Sequence, residues 1–209
     1  MGNIRNILYI HDLNGEKISD NFKNISEILS DCTIFTDSFD LYDIAGTRNK
    51  IEKLITQHDI GTIIGNGLGG FYALLGKTYP FRIVINPFMC PGKHLIDVDK
   101  NVPQNVQDTF FELEKQTYGL SFYNQGNLHW GYSNTTFGIF GTCPDYSYYD
   151  FFAQCYTPYS SDGRNIALIE EGHQELSKNQ LAPALNKAFE FVQMMSLEGI
   201  GRKKIVRRR

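Results

Sequence analysis

The sequence predicts a single α/β domain in which helices cover both faces of a mostly parallel sheet. Short apolar segments alternate with amphipathic segments along most of the 209 residues. The apolar segments are hydrophobic on both faces, which is typical of parallel strands buried between two helix layers. The length fits one domain of ordinary size, and no internal repeat suggests another architecture.

Apolar runs and helical spacing place the individual elements. Strands are predicted at residues 5–10, 32–37, 61–65, 81–88, 136–141 and 165–172. Helices are predicted at 19–30 with Ser19 as the cap, at 47–58 with Thr47 as the cap, directly after the glycines that end at Gly70, and at about 181–196.

Residues 97–135 fit this alternation poorly. They hold one candidate helix near 106–119, followed by a polar and aromatic stretch. Insertions above the carboxyl ends of α/β strands often form lids or binding surfaces, so we expect a lid, a partner-binding insertion or a long surface excursion.

The net charge of −3 divides unevenly along the chain. Residues 202–209 hold six of the 20 lysines and arginines and none of the 23 acidic residues, so residues 1–201 carry a net −9. We therefore expect a domain over 1–201 and a basic, extended tail over 202–209, beginning after a helix-ending linker at 199–201. The tail, including Arg207, Arg208 and Arg209, would dock on an acidic protein surface, which a second copy could supply, or on nucleic acid, or would act only in solubility.

Composition excludes several classes of function. No apolar stretch approaches the length of a membrane helix, and the N-terminal segment lacks the features of a signal peptide, so we expect no membrane contact. The four cysteines show no metal-ligand spacing, which favours a reducing, cytoplasmic setting and indicates no metal or other cofactor. The acidic body argues against extensive nucleic-acid binding by the domain itself.

The most informative segment is the glycine-rich run at 65–70, which lies between an apolar strand and an apolar helix. This context is typical of a nucleophile elbow, G-x-S-x-G, but the central residue is Gly67, which has no side chain to attack a substrate. Gly65, Gly67 and Gly70 also match a dinucleotide fingerprint, although not on the first βα unit where that fingerprint belongs. A tight strand–helix turn without chemistry is the third interpretation.

Several blocks in a fixed order resemble the YqiA-type small bacterial esterases, which are compact α/β-hydrolases. The blocks are ILYIHDLNG at 7–15, GNGLGGFYAL at 65–74, YPFRIVINPFMCPGKHL at 79–95, FGTCPDYSYYDFF at 140–152 and LIEEGHQEL at 168–176. Together they span about residues 6–195. The resemblance implies a single α/β-hydrolase-like domain.

The resemblance also implies the roles of individual residues. His173 matches the catalytic base, Gly67 occupies the nucleophile position, and the backbone amides of Leu13 and Leu68 would form the oxyanion hole. The acid loop has Thr142 or Cys143 where an aspartate is expected, which leaves Asp145 as a displaced acid. Asp12 replaces the glycine of the first loop, where its carboxylate would repel a developing oxyanion.

Since a triad acts as a unit, these departures indicate a catalytically degenerate esterase that acts as a protein-binding, scaffolding or assembly factor. The alternative is an active ester or thioester hydrolase with a displaced nucleophile, Cys90 or Cys143, paired with His173. A third hypothesis is a nucleic-acid-associated protein that binds through its tail. In the aromatic run, Tyr146, Tyr148 and Tyr149 are either core residues or part of a binding surface.

Overall fold

The computed structural model describes residues 2–13, 19–75, 81–118, 135–141, 148–156, 165–169 and 176–206, with side chains up to residue 197. In chain order, the elements are β1 (Asn3–Ile10), α1 (Asp20–Ile28), β2 (Thr33–Thr36), α2 (Ile44–Gln57), β3 (Ile60–Asn66), α3 (Gly67–Leu75), β4 (Phe81–Ile85), α4 (Pro91–Val98), α5 (Gln104–Tyr118), β5 (Thr136–Gly141), α6 (Tyr149–Tyr156), β6 (Ile166–Ile169) and α7 (Lys178–Val206).

The six strands form one sheet in the order β2-β1-β3-β4-β5-β6, and every neighbouring pair is parallel. Two apolar clusters cover its two faces. Alternate residues of β1 divide between them, with Leu8 and Ile10 on the face of α2 to α6 and Ile7 and Tyr9 on the face of α1 and α7. The predicted α/β class with helices on both faces is confirmed. Among the described helices, none combines the length and apolar character that a membrane crossing requires.

A parallel sheet brings all strand ends to a common side. We call the side where the strands end the carboxyl edge and the opposite side the amino edge. The loops that follow β1, β3 and β4 meet at the carboxyl edge, where the Phe88 amide donates a hydrogen bond to the Gly67 carbonyl at 2.8 Å. This edge is where α/β folds place their sites.

The start of α2 differs from its predicted position. Asp43, not Thr47, is the N-cap, and its carboxylate accepts a 3.0 Å hydrogen bond from the Gly46 amide. Thr47 lies within the first turns and donates its hydroxyl to the Asp40 carbonyl at 2.6 Å. Gly46 lowers the apparent helix propensity, but a Cβ there would overlap the capping carboxylate, so glycine makes room for the cap.

Helix α4 was not predicted. It begins with Pro91 at its first position, and Cys90 at the cap position makes no side-chain hydrogen bond. The capping group is supplied by α5, because Glu114 accepts a hydrogen bond from the Gly92 amide. A cap from 22 residues away leaves no trace in the local sequence.

Helix α7 extends beyond both of its predicted ends, from Lys178 to Val206. The expectation that it would end at the linker 199–201 is wrong. Lys and Arg have high helix propensity, and cations near a helix C-terminus favour its dipole, which offsets the cost of two glycines. Residues 202–206 of the predicted extended tail are therefore helical, and 207–209 lie outside the described residues.

Candidate active site

The turn from β3 into α3 has the backbone geometry of an elbow. Gly67 has a φ of +52°, a left-handed conformation that favours glycine. A Cβ on Gly69 would lie 2.3 Å from the His11 carbonyl oxygen, so the absence of a side chain lets α3 approach the end of β1. The steric form predicted from the glycine run is present.

The carboxylate of Asp12 occupies the position expected for an oxyanion. Its Oδ1 accepts a 2.7 Å hydrogen bond from the Leu13 amide and a 2.8 Å hydrogen bond from the Leu68 amide. These are the two backbone donors that the family resemblance assigns to the oxyanion hole. Leu68 also lies in the first turn of α3, where the helix dipole favours an anion. The chain therefore fills this pair of donors with its own side chain.

The same carboxylate excludes a side chain at the nucleophile position. A Cβ placed on Gly67 would lie 2.0 Å from Oδ1, 2.1 Å from Cγ and 2.3 Å from Oδ2 of Asp12. Real Cβ atoms essentially never come this close to another atom, so the Asp12 side chain would have to leave its two amide donors to admit a serine at 67. Gly67 and Asp12 therefore form a matched pair.

His11 positions the loop that carries Asp12. It is 5% exposed, its Nε2 accepts a 3.2 Å hydrogen bond from the Phe39 amide, and its Nδ1 lies 2.7 Å from the Asp12 carbonyl oxygen. Because the amide of Phe39 can only donate, Nε2 is the acceptor and Nδ1 carries the proton. His11 thus joins the loop after β1 to the loop after β2 and has a structural role.

Aromatic side chains lie beside this site. Phe88 and Tyr148 pack edge to face with their ring centroids 5.8 Å apart, and His94 lies 6.4 Å from Tyr148. All three are partly exposed, as is Tyr149, which packs edge to face on buried Phe140. The backbone bond between Phe88 and Gly67 links this aromatic group to the elbow.

Cys90 is half-buried and lies near the carboxyl group of Glu114. Burial, together with the nearby charge of Glu114, raises the pKa of the Cys90 thiol to about 12. Glu114 itself is 2% exposed, and burial raises its pKa to about 7 despite the hydrogen bonds that it accepts from the Gly92 and Lys93 amides. A reactive thiol needs the opposite environment, one that lowers its pKa.

Of the predicted site residues, the structure brings together Gly67, Leu13 and Leu68, with Asp12 between them. Tyr148 and Tyr149 lie at or near the start of α6. The other predicted positions, namely His173, Asp145, Tyr146, Cys143, Arg207, Arg208 and Arg209, lie outside the described residues.

Sequence reasoning identified Asp12 as unfavourable but did not predict that it would fill the hole. The sequence signal that could have predicted this contact is that two residues differ together from the YqiA-type pattern. Asp12 replaces a glycine of that pattern, and Gly67 replaces its serine. Their closeness in space requires the fold, since 55 positions separate them in the sequence.

Several solved structures with a similar fold are described as α/β-hydrolases. Est1E from Butyrivibrio proteoclasticus, solved with ferulic acid, aligns with a TM-score of 0.56 at 12% identity, covering 88% of this chain and 89% of that one. Mouse alpha/beta hydrolase domain-containing protein 10 aligns with a TM-score of 0.54 at 12% identity over 91% of both chains.

A third similar structure is MGS-MChE2, an alpha/beta hydrolase enzyme from the metagenome of sediments from the lagoon of Mar Chica, Morocco. It aligns with a TM-score of 0.50 at 14% identity, covering 97% of this chain and 93% of that one. At these identities the likeness shows the fold alone. Comparison with curated proteins gives no significant match.

The family is shown by sequence. Residues 6–122, more than half of the chain, match the model of an uncharacterised protein family, UPF0227, in agreement with the YqiA-type resemblance. The matched segment includes both Asp12 and the elbow at Gly67. The chain is a member of the UPF0227 family with an α/β-hydrolase fold.

Proposed function

We propose that this protein is a catalytically degenerate, esterase-like α/β-hydrolase that acts by binding another protein, as a scaffolding or assembly factor. One observation carries the proposal: the Asp12 carboxylate accepts hydrogen bonds from both amides of the expected oxyanion hole and lies where a nucleophile side chain would be.

Acyl transfer needs those two amides to be free. They must donate to the substrate oxygen as negative charge develops on it, and one such donor is worth roughly 10²–10³ in turnover. Here a substrate carbonyl would have to displace a carboxylate that holds two charge-assisted hydrogen bonds. Even after displacement, Gly67 offers no nucleophile.

The displaced-nucleophile alternative is weaker on the geometry. Burial raises the pKa of the Cys90 thiol to about 12, which disfavours the thiolate at neutral pH. Cys90 also lies beside Glu114, whose charge disfavours a thiolate. Cys143 lies outside the described residues, so its role as a nucleophile is tested only by measuring hydrolysis in Cys143→Ser.

The binding half of the proposal is supported by the aromatic group beside the elbow. Phe88, Tyr148 and His94 are partly exposed at the edge where α/β folds usually recognise ligands. Aromatic residues are enriched in protein interfaces because they offer large contact area at low entropic cost. A partner anchored on these rings would lie over the filled elbow.

The catalytic half is tested by the hydrolysis of p-nitrophenyl acetate and butyrate. We expect the wild type to hydrolyse these esters no faster than His173→Ala, because Gly67 offers no nucleophile. We expect the same low rate for Gly67→Ser, because its new side chain collides with Asp12. We expect Asp12→Gly/Gly67→Ser to exceed Gly67→Ser by roughly 10²-fold, since it opens both oxyanion donors.

Two outcomes count against this half. Wild-type turnover that disappears in His173→Ala, Cys90→Ser or Cys143→Ser would show a working enzyme. A double variant no faster than Gly67→Ser would show that Asp12 is not what blocks the site.

The binding half is tested by photo-crosslinking in the source cells with p-benzoylphenylalanine at position 148. We expect one discrete adduct at 148 and none at 53, an exposed position on α2 that serves as the matched control. Loss of the adduct in Phe88→Ala would place the partner on the aromatic group. The same adduct pattern at 148 and 53 would contradict this surface.

A further inference from the structure

A groove at the amino edge lies between α1 and α7, on the side of the sheet opposite the elbow. It has a volume of about 300 Å³, and apolar Ile4, Ile28 and Phe189 line it together with polar Asp31, Glu190 and Gln193. Ile4 lies near the start of β1, which places the groove at the amino edge. Asp31 pairs there with Arg5 at 3.0 Å.

One face of α7 runs along this groove and continues past it. Asn186, Glu190 and Gln193 line the groove at spacings of four and three, and the next position on the same face is Leu197. Leu197 is 70% exposed, and neighbouring Met194 is 39% exposed. The opposite face of α7 supplies the core, where Val192 is fully buried and Met195 packs partly buried against the same cluster.

The helix extends well beyond Val192. It continues from Gln193 to Val206, about 20 Å at the rise of an α-helix. Arg202, Lys203 and Lys204 fall in this part. Within this part of the helix, Met195 packs against the core, whereas Leu197 and Met194 remain as exposed apolar side chains that a partner would cover.

Charge favours a second copy of this chain, arranged antiparallel. In an antiparallel pair centred on Leu197, Lys204 of one copy lies opposite Glu190 of the other, each seven residues from the centre. Gly201 then lies opposite Gln193, where the absence of a side chain allows close approach. A parallel pair would instead bring two +6 ends together, which is unfavourable.

The same register continues into the groove. Beyond position 204, the basic end of one copy would run along the α1–α7 groove of the other, past exposed Glu190 and the Asp31–Arg5 pair. The +6 end of each copy would meet a body that carries −9. The arrangement is two-fold symmetric, so the same surface serves both copies.

We propose that this protein self-associates through α7, with residues 202–209 of one copy seated in the α1–α7 groove of another. The inference is independent of the proposed function, because it concerns the opposite edge of the sheet. Self-association is tested by measuring the molecular mass in solution, whereas the proposed function is tested by measuring ester hydrolysis, so the two can fail separately.

The test is sedimentation velocity on the full chain over a concentration series at 50 mM and 500 mM NaCl. We expect a concentration-dependent dimer that weakens at high salt. Leu197→Glu should shift the dissociation constant upward by at least about tenfold, and Val98→Glu, at a 41% exposed position on α4, should not.

Charge exchange identifies the register. Glu190→Lys and Lys204→Glu should each weaken the dimer by about tenfold, and the two together should restore it, because the pair is re-formed with its signs reversed. Both are exposed or terminal positions, so circular dichroism should show unchanged folding.

Three results would overturn the inference. They are a monomer at every concentration, a dimer indifferent to Leu197→Glu, and a double charge exchange no tighter than the single variants. Binding of a DNA duplex that is lost on deletion of 202–209 but unaffected by Glu190→Lys would assign the basic end to nucleic acid instead.

Discussion

The two edges of the sheet differ in how completely their polar and apolar groups are satisfied. At the carboxyl edge, the Leu13 and Leu68 amides both donate to Asp12, and the absence of a side chain at Gly67 accommodates that carboxylate. At the amino edge, α7 lines a groove through Asn186, Glu190 and Gln193, and Leu197 on the same helix is 70% exposed. The contrast teaches that the donors at the elbow already have an acceptor from the chain itself, whereas the amino edge keeps an exposed apolar side chain.

The largest expected effect concerns Glu114, which supports the carboxyl edge by capping α4. Burial raises its pKa from 4.5 to about 7, so the folded state binds this proton more tightly than the unfolded state does. The free energy of unfolding should therefore fall as pH rises from about 4.5 to 7, by an amount on the order of 3 kcal/mol, and the loss should be complete above pH 7.

Glu114→Gln should flatten this part of the pH profile because it cannot ionise. Urea denaturation at pH 5 and pH 8 measures the difference for both proteins. Glu112→Gln, an exposed position on the same helix, is the matched control and should keep the wild-type slope. An unchanged slope in Glu114→Gln would mean that its carboxyl is not buried.

The second effect concerns Asp12. Asp12→Ala leaves the Leu13 and Leu68 amides without their acceptor, so the free energy of unfolding should fall by about 2 kcal/mol. Asp12→Asn keeps an oxygen acceptor and should lose less. Thermal and urea denaturation give both values.

The comparison for Asp12 is Asp97→Ala, an exposed carboxylate paired with His94, which should change stability by less than about 0.5 kcal/mol. Equal losses for Asp12→Ala and Asp97→Ala would mean that the carboxylate is not held in the hole, and the contrast between the edges would weaken.

The smallest effect concerns the amino edge. Because Leu197 is 70% exposed, Leu197→Glu should alter the unfolding free energy of a dilute sample by less than about 0.5 kcal/mol. The same change should still disrupt self-association. A large loss of stability at low concentration would instead show that Leu197 belongs to the core.

Local sequence patterns predicted the regular elements well because their causes are local. The apolar run at 136–141 gave β5 with the observed ends, and Ser19 caps α1 by accepting a 3.2 Å hydrogen bond from the Phe22 amide. The glycines at 65–70 predicted the elbow because tight strand–helix turns need residues without side chains.

Features that depend on distant parts of the chain were missed. Helix α4 takes its cap from Glu114 on α5, so the sequence near Cys90 contains no capping residue. The local signal for the start of this helix is Pro91 at its first position. The contact between Asp12 and Gly67 arises because the loops after the neighbouring strands β1 and β3 end side by side. The components of the filled oxyanion hole were identified from the family resemblance, but their contact is a product of the fold.

The central claim, that Asp12 fills the oxyanion hole, is tested most directly by NMR couplings across hydrogen bonds. In a deuterated, ¹⁵N- and ¹³C-labelled sample, we predict cross-peaks from the amide nitrogens of Leu13 and Leu68 to the same carbon, Cγ of Asp12. Both cross-peaks should vanish in Asp12→Ala, and both amide protons should move upfield. Absent cross-peaks in the wild type, with amide shifts unchanged in Asp12→Ala, would contradict the account.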